Sequence, residues 1–188
     1  MTAANELTLG AILDGVDNLR AEGDRSGRAA PVNDIDIASV LAALRSFTDI
    51  VRYLNTRRSA GAILDLTNEA AVQDALYLML RPWVLDLVPE NPTDKIANRF
   101  SIKDFVSKEN RFVIEAKFVR SPEHGKSLVK EVNDDIETYR YHSHCDDLVF
   151  FIYDPEGYIP DAAAMERHLK VARSYDGRTL RCHGVIKP

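Results

Sequence analysis

The sequence contains only two cysteines, Cys145 and Cys182, in 188 residues. Two cysteines cannot build a disulfide framework, so a reducing cytoplasm is the expected compartment. No apolar run approaches the roughly 20 residues that a membrane-spanning helix needs. The amino terminus, MTAANELTLG, lacks the basic and apolar stretches of a secretory signal. These absences predict a cytoplasmic protein without a membrane anchor.

Several common functional motifs are also missing. The sequence has no G-x-G-x-x-G, no P-loop and no G-x-S-x-G, which argues against a nucleotide-binding protein and against a serine hydrolase. The formal net charge is −5. This charge excludes a protein that coats nucleic acid with a uniformly basic surface, but it leaves a local basic face open.

The composition is that of a globular protein, with 45% hydrophobic and 28% charged residues. The length suits one domain, or one compact domain with an appendage. Helical spacing of apolar residues over 5–19 and 34–58 predicts two helices in the first third of the chain. We interpret residues 1–62 as a helical N-terminal extension for dimerisation or partner docking, and residues 63–188 as the domain that carries the chemistry.

The second part of the chain alternates between helical and extended patterns, which predicts a mixed α/β domain. Its first helix is expected to end at Pro82, because proline cannot continue a helix interior. The predicted helices are 67–82, Lys126–Tyr141 and Asp161–Ala172, and the predicted strands are Val84–Val88, Arg99–Ser107, Arg111–Val119, Leu148–Tyr153 and Thr179–Ile186.

The second and third predicted strands form a hairpin that brings charged residues together. Because strand side chains alternate, Glu115 and Lys117 share one face of the second hairpin strand, and apolar residues occupy its other face. A symmetric hairpin pairs Val106 with Val113. The same register sets Asp104 across from Glu115, with the two Cβ atoms about 5 Å apart.

This pair of carboxylates indicates a metal site. Like charges in an apolar setting resist ionisation, and a divalent cation resolves the conflict. Carboxylate and backbone carbonyl oxygens suit Mg²⁺, so Asp104 and Glu115 are candidate ligands. Lys117 is placed to orient a metal-bound water or to receive its proton, which predicts hydrolysis of phosphodiesters. In the alternative interpretation, Glu115 and Lys117 pair with each other on a solvated sheet face.

The hairpin and the residues that follow it are locally basic. Residues 99–130 contain eight Lys or Arg and four Asp or Glu, a local charge of +4 in a chain of −5. Such a patch suits a phosphate backbone, which basic side chains bind without reading sequence. Arg120, Lys126 and Lys130 are the candidate phosphate ligands because they directly follow the second hairpin strand. Lys103 and Lys108 are equally well explained as solvated side chains.

Asp104 and the segment Glu115–Lys117, placed between a helix bearing Glu69 and a helix followed by a buried strand, resemble the PD-(D/E)XK nuclease superfamily. The resemblance covers residues 67–153. It implies a restriction-endonuclease-like fold, in which a mixed β-sheet core is flanked by helices. Lys103 precedes Asp104, at a position where the family often has proline.

The resemblance also implies roles for individual residues. The implied ligands of Mg²⁺, with Mn²⁺ as a substitute, are Asp104, Glu115, the carbonyl oxygen of Ala116 and Glu69. Lys117 would assist the attacking water. For Glu69 the alternative is a first-turn acid that the helix dipole favours.

The sequence further resembles small nuclease domains of bacterial antiphage and restriction systems. This resemblance implies a context, restriction or antiphage defence, and adds no chemistry. The predicted function is endonucleolytic cleavage of DNA, and the predicted partners are DNA and a homodimer or a larger defence complex. RNA as the substrate stays open. The alternative from another class is a non-catalytic interaction module that retains the fold and its acidic residues.

Two further sets of polar residues are explained without a catalytic or metal-binding role. Glu131, Asp135 and the tyrosine at 139 share one face of the helix after the hairpin. We expect this to be a solvated face, and we leave a role at the border of the site open for Glu131 and for Lys130 on the same helix. The cluster of His142, His144 and Cys145 contains zinc-binding side chains, but its spacing matches no zinc finger or ribbon.

Overall fold

The computed structural model describes residues 35–57, 61–90, 103–175 and 177–188, except for the side chains of Glu90, Lys103 and Asp104. The helix predicted at residues 5–19 lies outside these ranges. Within them the chain forms five α-helices and six β-strands. The helices are α1 (Ile37–Arg45), α2 (Phe47–Thr56), α3 (Glu69–Leu80), α4 (Pro122–Tyr139) and α5 (Ala162–Leu169). The strands are β1 (Val88–Glu90), β2 (Lys103–Ser107), β3 (Phe112–Phe118), β4 (Asp147–Tyr153), β5 (Ala172–Tyr175) and β6 (Arg178–Lys187).

The six strands form one mixed sheet in the order β1-β2-β3-β4-β6-β5. Strand β4 pairs in parallel with both β3 and β6, and the other neighbouring strands are antiparallel. The apolar run of β4 is buried on both faces because helices cover the sheet on both sides. A mixed sheet flanked by helices confirms the predicted α/β fold class.

One face of the sheet packs against α1, α2 and α3. Alternate residues of the central strands join the apolar side chains of these helices in a single core. Phe47 at the start of α2 meets Phe151 of β4, with ring centroids 4.8 Å apart. Residues 34–188 form one compact unit. The division of the chain at residue 62 stays a prediction. The dimerisation or docking role of the N-terminal extension stays a prediction.

The other face packs against α4 and α5. Leu128, Val132 and Ile136 recur on one side of α4 and form a buried cluster with the opposite set of strand residues, including Val113 and Phe150. None of the described helices combines the length and the apolar character that a membrane span requires.

Capping side chains determine where several helices begin. Asp36, Asn68 and Ser121 each accept a hydrogen bond from a backbone N–H in the first turn of α1, α3 and α4. Pro122 occupies the first turn of α4, where its missing N–H and fixed φ are favourable. Helix α4 therefore begins before Lys126, where the apolar pattern alone had set its start.

The long helix predicted over residues 34–58 is interrupted. Ser46 separates α1 from α2, and its hydroxyl donates a hydrogen bond to the carbonyl oxygen of Ala43 at 2.7 Å. Its amide also donates to the carbonyls of Ala42 and Ala43. Such local bonds compete with the regular helical ladder, which explains the break.

The strand predicted at Val84–Val88 is wrong for Val84–Leu87, and β1 begins only at Val88. The amide of Val84 donates to the carbonyl of Leu80 and the amide of Leu87 to that of Val84, so this segment consists of turns that follow α3. Val84 and Leu87 are buried from turn positions, which explains their apolar character. Strand β5 was missed because its residues are half-exposed at a sheet edge and lack a run of buried apolar residues.

Candidate active site

Strands β2 and β3 pair in the register that the sequence predicted, since Val106 lies opposite Val113. We expect the next pair in this register to be Asp104 and Glu115. The register between β1 and β2 shifts just before Glu90, which leaves β2 one extra residue at this point. Because the Asp104 side chain is outside the described part of the structure, its role as a metal ligand stays a prediction.

Glu115 lies in the middle of β3 and is only 6% exposed. Its Oε1 accepts a hydrogen bond from Lys117 Nζ at 2.8 Å, and its Oε2 accepts one from the Tyr139 hydroxyl at 2.9 Å. Burial raises the pKa of the Glu115 carboxyl, and this effect exceeds the opposite effect of the Lys117 ammonium. The ion pair of the alternative interpretation therefore exists, but the solvated face of that interpretation does not, because α4 covers Glu115.

The ammonium of Lys117 lies between two carboxylates. Its Nζ is 2.8 Å from Glu115 Oε1 and 2.8 Å from Asp135 Oδ2 on α4. The geometry at Asp135 Oδ2 does not satisfy a hydrogen bond, so this second contact is an ion pair. Burial lowers the pKa of Lys117, but the two carboxylates raise it by more, and the net shift is upward. The side chain is thus an ammonium at neutral pH.

Glu69 approaches the same strand from the other face of the sheet. It is the first residue of α3, and its Oε2 accepts a hydrogen bond from the backbone N–H of Phe118 at 3.3 Å. This contact lies one residue beyond Lys117. Ala116 is fully buried, with its side chain in the core under α1–α3. The structure brings Glu69 to the end of the Glu115–Lys117 segment, and metal binding by Glu69 and by the Ala116 carbonyl stays a prediction.

The expectation of a solvated face on α4 is wrong for Asp135 and Tyr139. Tyr139 is 2% exposed and contacts Glu115, while Asp135 contacts Lys117. The four-residue spacing with Glu131 was visible in the sequence and correctly placed the three residues on one side of the helix. It did not reveal that this side faces β3.

The three predicted phosphate ligands surround the start of α4 and are exposed. Arg120 precedes the helix, and its backbone N–H donates to Nδ1 of the buried His124. Lys126 and Lys130 are one turn apart on α4. Lys126 also lines a groove of about 410 Å³ between α4 and α5. Their side chains are free of the core, and DNA binding by them stays a prediction.

The histidine and cysteine cluster shows no metal site. Burial raises the pKa of Cys145 to about 12 and that of Cys182 to about 11, so both thiols stay protonated. The rings of His142 and His144 have centroids 6.3 Å apart. Across the described side chains, no group of three or more His, Cys, Asp or Glu residues is placed to hold a metal ion.

The chemistry around Glu115 nevertheless suits a hard divalent cation. A carboxylate has about four acceptor positions, and the two donors described above occupy two of those on Glu115. The cluster contains two carboxylates, Glu115 and Asp135, and one ammonium, which both carboxylates share. This excess of negative charge fits Mg²⁺, which prefers oxygen ligands. The described side chains supply Glu115, and the predicted second ligand is Asp104.

The chain is similar to one known family. The model of the restriction endonuclease family DpnII-MboI matches residues 38–181. This range includes α2 to α5, all of α1 but its first residue, strands β1 to β5, the first part of β6 and every candidate site residue. No curated protein and no solved structure matches the chain significantly.

Proposed function

Because the chain belongs to the DpnII-MboI family of restriction endonucleases, we propose that it is a Mg²⁺-dependent endonuclease that hydrolyses phosphodiester bonds of DNA. The family makes the protein a DNA nuclease with the restriction-endonuclease-like fold of the PD-(D/E)XK superfamily. The metal, the catalytic residues, internal cleavage of the strand and a role in restriction or antiphage defence belong to the proposal.

One observation supports this chemistry above the others. A buried carboxylate and a largely buried ammonium, Glu115 and Lys117, lie 2.8 Å apart on a central strand, in a register expected to bring Asp104 opposite Glu115. Burying both charges costs free energy that a purely structural pair seldom recovers. A site that binds charged ligands gives a reason to retain them.

The residues of the cluster have distinct roles in this proposal. Asp104, Glu115, the Ala116 carbonyl and Glu69 would hold Mg²⁺, or Mn²⁺ in its place. The cation would neutralise charge on the phosphate and lower the pKa of a bound water. Because the pKa of Lys117 is raised, this side chain keeps its proton and orients the attacking water as a hydrogen-bond donor. The proposal therefore assigns Lys117 the role of donor and not that of base.

The remaining parts of the proposal concern binding partners. Arg120, Lys126 and Lys130 would contact the phosphate backbone, since they are exposed basic residues next to the segment that carries Glu115 and Lys117. Residues 1–62 would support a homodimer or docking to a larger defence complex, and the protein would act in the cytoplasm.

A plasmid cleavage assay with Mg²⁺ tests the mechanism. We expect Lys117→Ala to lower the rate by about 10³-fold, since it removes the donor that orients the water. Lys108→Ala is the matched control, because Lys108 is exposed in the hairpin turn. Activity of Lys117→Ala equal to that of Lys108→Ala would contradict the mechanism.

Metal binding is tested separately by calorimetry. We expect titration of the wild-type protein with Mn²⁺ to give heat that disappears in Glu115→Ala and persists in the control Glu156→Gln, whose side chain is exposed. Absence of metal binding together with absence of cleavage would favour the interaction module over the enzyme.

A further inference from the structure

We propose that Asp135 and Tyr139 are positioning residues of the active site. Asp135 holds the ammonium of Lys117, and Tyr139 holds the carboxylate of Glu115. This inference rests on the proposed function and extends the site from two strands to the helix that follows them.

Tyr139 joins the apolar core to the site. Its ring belongs to the buried cluster beneath α4, and its hydroxyl donates to Glu115 Oε2 at 2.9 Å. A phenylalanine fills the same space, so packing alone does not need the hydroxyl. A hydrogen bond to an ionised carboxylate is stronger than one between neutral groups. It fixes the plane of the carboxylate and leaves Oε1 to Lys117.

Asp135 provides the second contact for a flexible side chain. A lysine carries its charge on a four-carbon stem, and a single ion pair leaves it free to rotate about that contact. Glu115 is attached to the same strand two residues away, whereas Asp135 approaches from a different element. Two contacts from different directions restrict the position of Nζ.

Helix α4 presents both side chains as one rigid unit. Asp135 and Tyr139 are four residues apart, so they lie one turn apart on the same side of the helix. The buried residues Leu128, Val132 and Ile136 fix this side against the sheet. Side chains that are held by packing keep a catalytic group in its productive orientation, which is the role of a supporting shell.

The test compares Asp135→Asn and Tyr139→Phe with two matched controls. Asp134→Asn makes the same change at an exposed position of α4, and Tyr141→Phe does so at a tyrosine that is 73% exposed. We expect kcat for cleavage of a DNA duplex to fall about 30-fold in Asp135→Asn and about 10-fold in Tyr139→Phe. The KM for DNA should change less than about twofold, because neither residue contacts the substrate. Both controls should match the wild type.

A double-mutant cycle separates positioning from a merely structural role. If Asp135 acts through Lys117, then adding Asp135→Asn to Lys117→Ala should lower the residual rate by less than about twofold. Asp135→Glu should recover part of the activity that Asp135→Asn loses. A full 30-fold loss in the Lys117→Ala background, or a loss that follows the fraction of unfolded protein in thermal melts, would overturn the role of Asp135.

Calorimetry with Mn²⁺ gives a readout for Tyr139 that does not depend on turnover. We expect Tyr139→Phe to weaken Mn²⁺ binding about fivefold, because the Glu115 carboxylate loses its orientation. Tyr141→Phe should leave the affinity unchanged. If wild-type protein cleaves DNA and Lys117→Ala does not, but Asp135→Asn and Tyr139→Phe behave as their controls do, the inference fails and the proposed function stands. If the wild type neither cleaves DNA nor binds Mn²⁺, the proposed function itself fails.

Discussion

Two carboxylates are almost fully buried on the central parallel strands, and their surroundings differ. Glu115 on β3 is 6% exposed and Asp147 at the start of β4 is 5% exposed. Asp147 Oδ1 accepts hydrogen bonds from Arg181 Nε and His183 Nε2, both at 2.8 Å. Glu115 has one cationic partner, and that partner is shared with a second carboxylate.

The pKa values of the two carboxyl groups shift in opposite directions for this reason. Burial raises the pKa of both. At Asp147, hydrogen bonds and charge from His183 and Arg181 outweigh burial, and the pKa is lowered. At Glu115 burial dominates and the pKa is raised. Asp147 is thus a compensated structural charge, whereas Glu115 is under-compensated in the way that a binding site for a cation requires.

The largest expected effect on stability comes from displacing α4. Of the two carboxylates, this helix contacts only Glu115. A Cβ atom at Gly125 would lie 2.3 Å from the backbone oxygen of Tyr158, and backbone cannot rotate away. We expect Gly125→Ala to cost about 3 kcal/mol in the free energy of unfolding. Because α4 must shift, the DNA cleavage rate per folded molecule should also fall.

Urea unfolding and the cleavage assay check this prediction. Ser127→Ala, at an exposed position of α4, is the control and should change little. A Gly125→Ala variant with wild-type stability and activity would mean that the close approach to Tyr158 does not fix the position of α4.

Neutralising each carboxylate should change stability in different directions. We expect Asp147→Asn to cost about 2 kcal/mol at pH 7, because it breaks charged hydrogen bonds of a buried group, although the exposure of Arg181 reduces the loss. Glu115→Gln should be neutral or stabilising by about 1 kcal/mol, since it removes an under-compensated buried charge.

Urea unfolding at pH 7 measures both values, with Glu156→Gln as an exposed reference. Equal losses in Asp147→Asn and Glu115→Gln would break the distinction between a compensated and an under-compensated charge.

The smallest effect is the dependence of these differences on pH. Because the folded pKa of Asp147 is lowered, its stabilisation is present above the unfolded value of about 3.9 and is lost as the pH falls through the folded value. The advantage of wild type over Asp147→Asn should therefore shrink between pH 7 and pH 3.

The stability contribution of Glu115 should depend on pH with the opposite sign. Its folded pKa is raised, so its cost is present at neutral pH and is relieved as the pH falls through the folded value toward the unfolded value of about 4.3. Wild type should then gain relative to Glu115→Gln on acidification. Urea unfolding at several pH values measures how the stability difference between wild type and each variant changes with pH. The same sign of change for Asp147→Asn and Glu115→Gln would contradict the assigned directions of the two pKa shifts.

The sequence was sufficient for parts of the site that depend on short-range geometry. Alternation along β3 placed Glu115 and Lys117 on one face, and a symmetric hairpin gave the pairing of Val106 with Val113. Both follow from the pleat and from a short turn, so no knowledge of distant residues was needed. Asp135 and Tyr139 were assigned to solvent because their environment depends on how α4 docks.

The predicted limits of helices and strands were wrong in two situations. In one, a single side chain made a local hydrogen bond, and in the other, apolar residues filled the core from outside a strand. The hydroxyl of Ser46 divides a helix that the apolar pattern joins, and Val84 fills the core from a turn and not from a strand. Hydrophobicity reports burial, and burial alone does not specify the backbone conformation.

The sequence by itself determined the α/β class, the run of β4, the register of the hairpin and the placement of Glu115 and Lys117 on one face of β3, because periodicity and turn length act over a few residues. Only the tertiary structure decided that the charged face of β3 lies beneath α4, that Asp135 and Tyr139 complete its contacts, and that Asp147 is compensated while Glu115 is not. These features depend on the summed charge and burial that distant segments bring to one place, which no local pattern records.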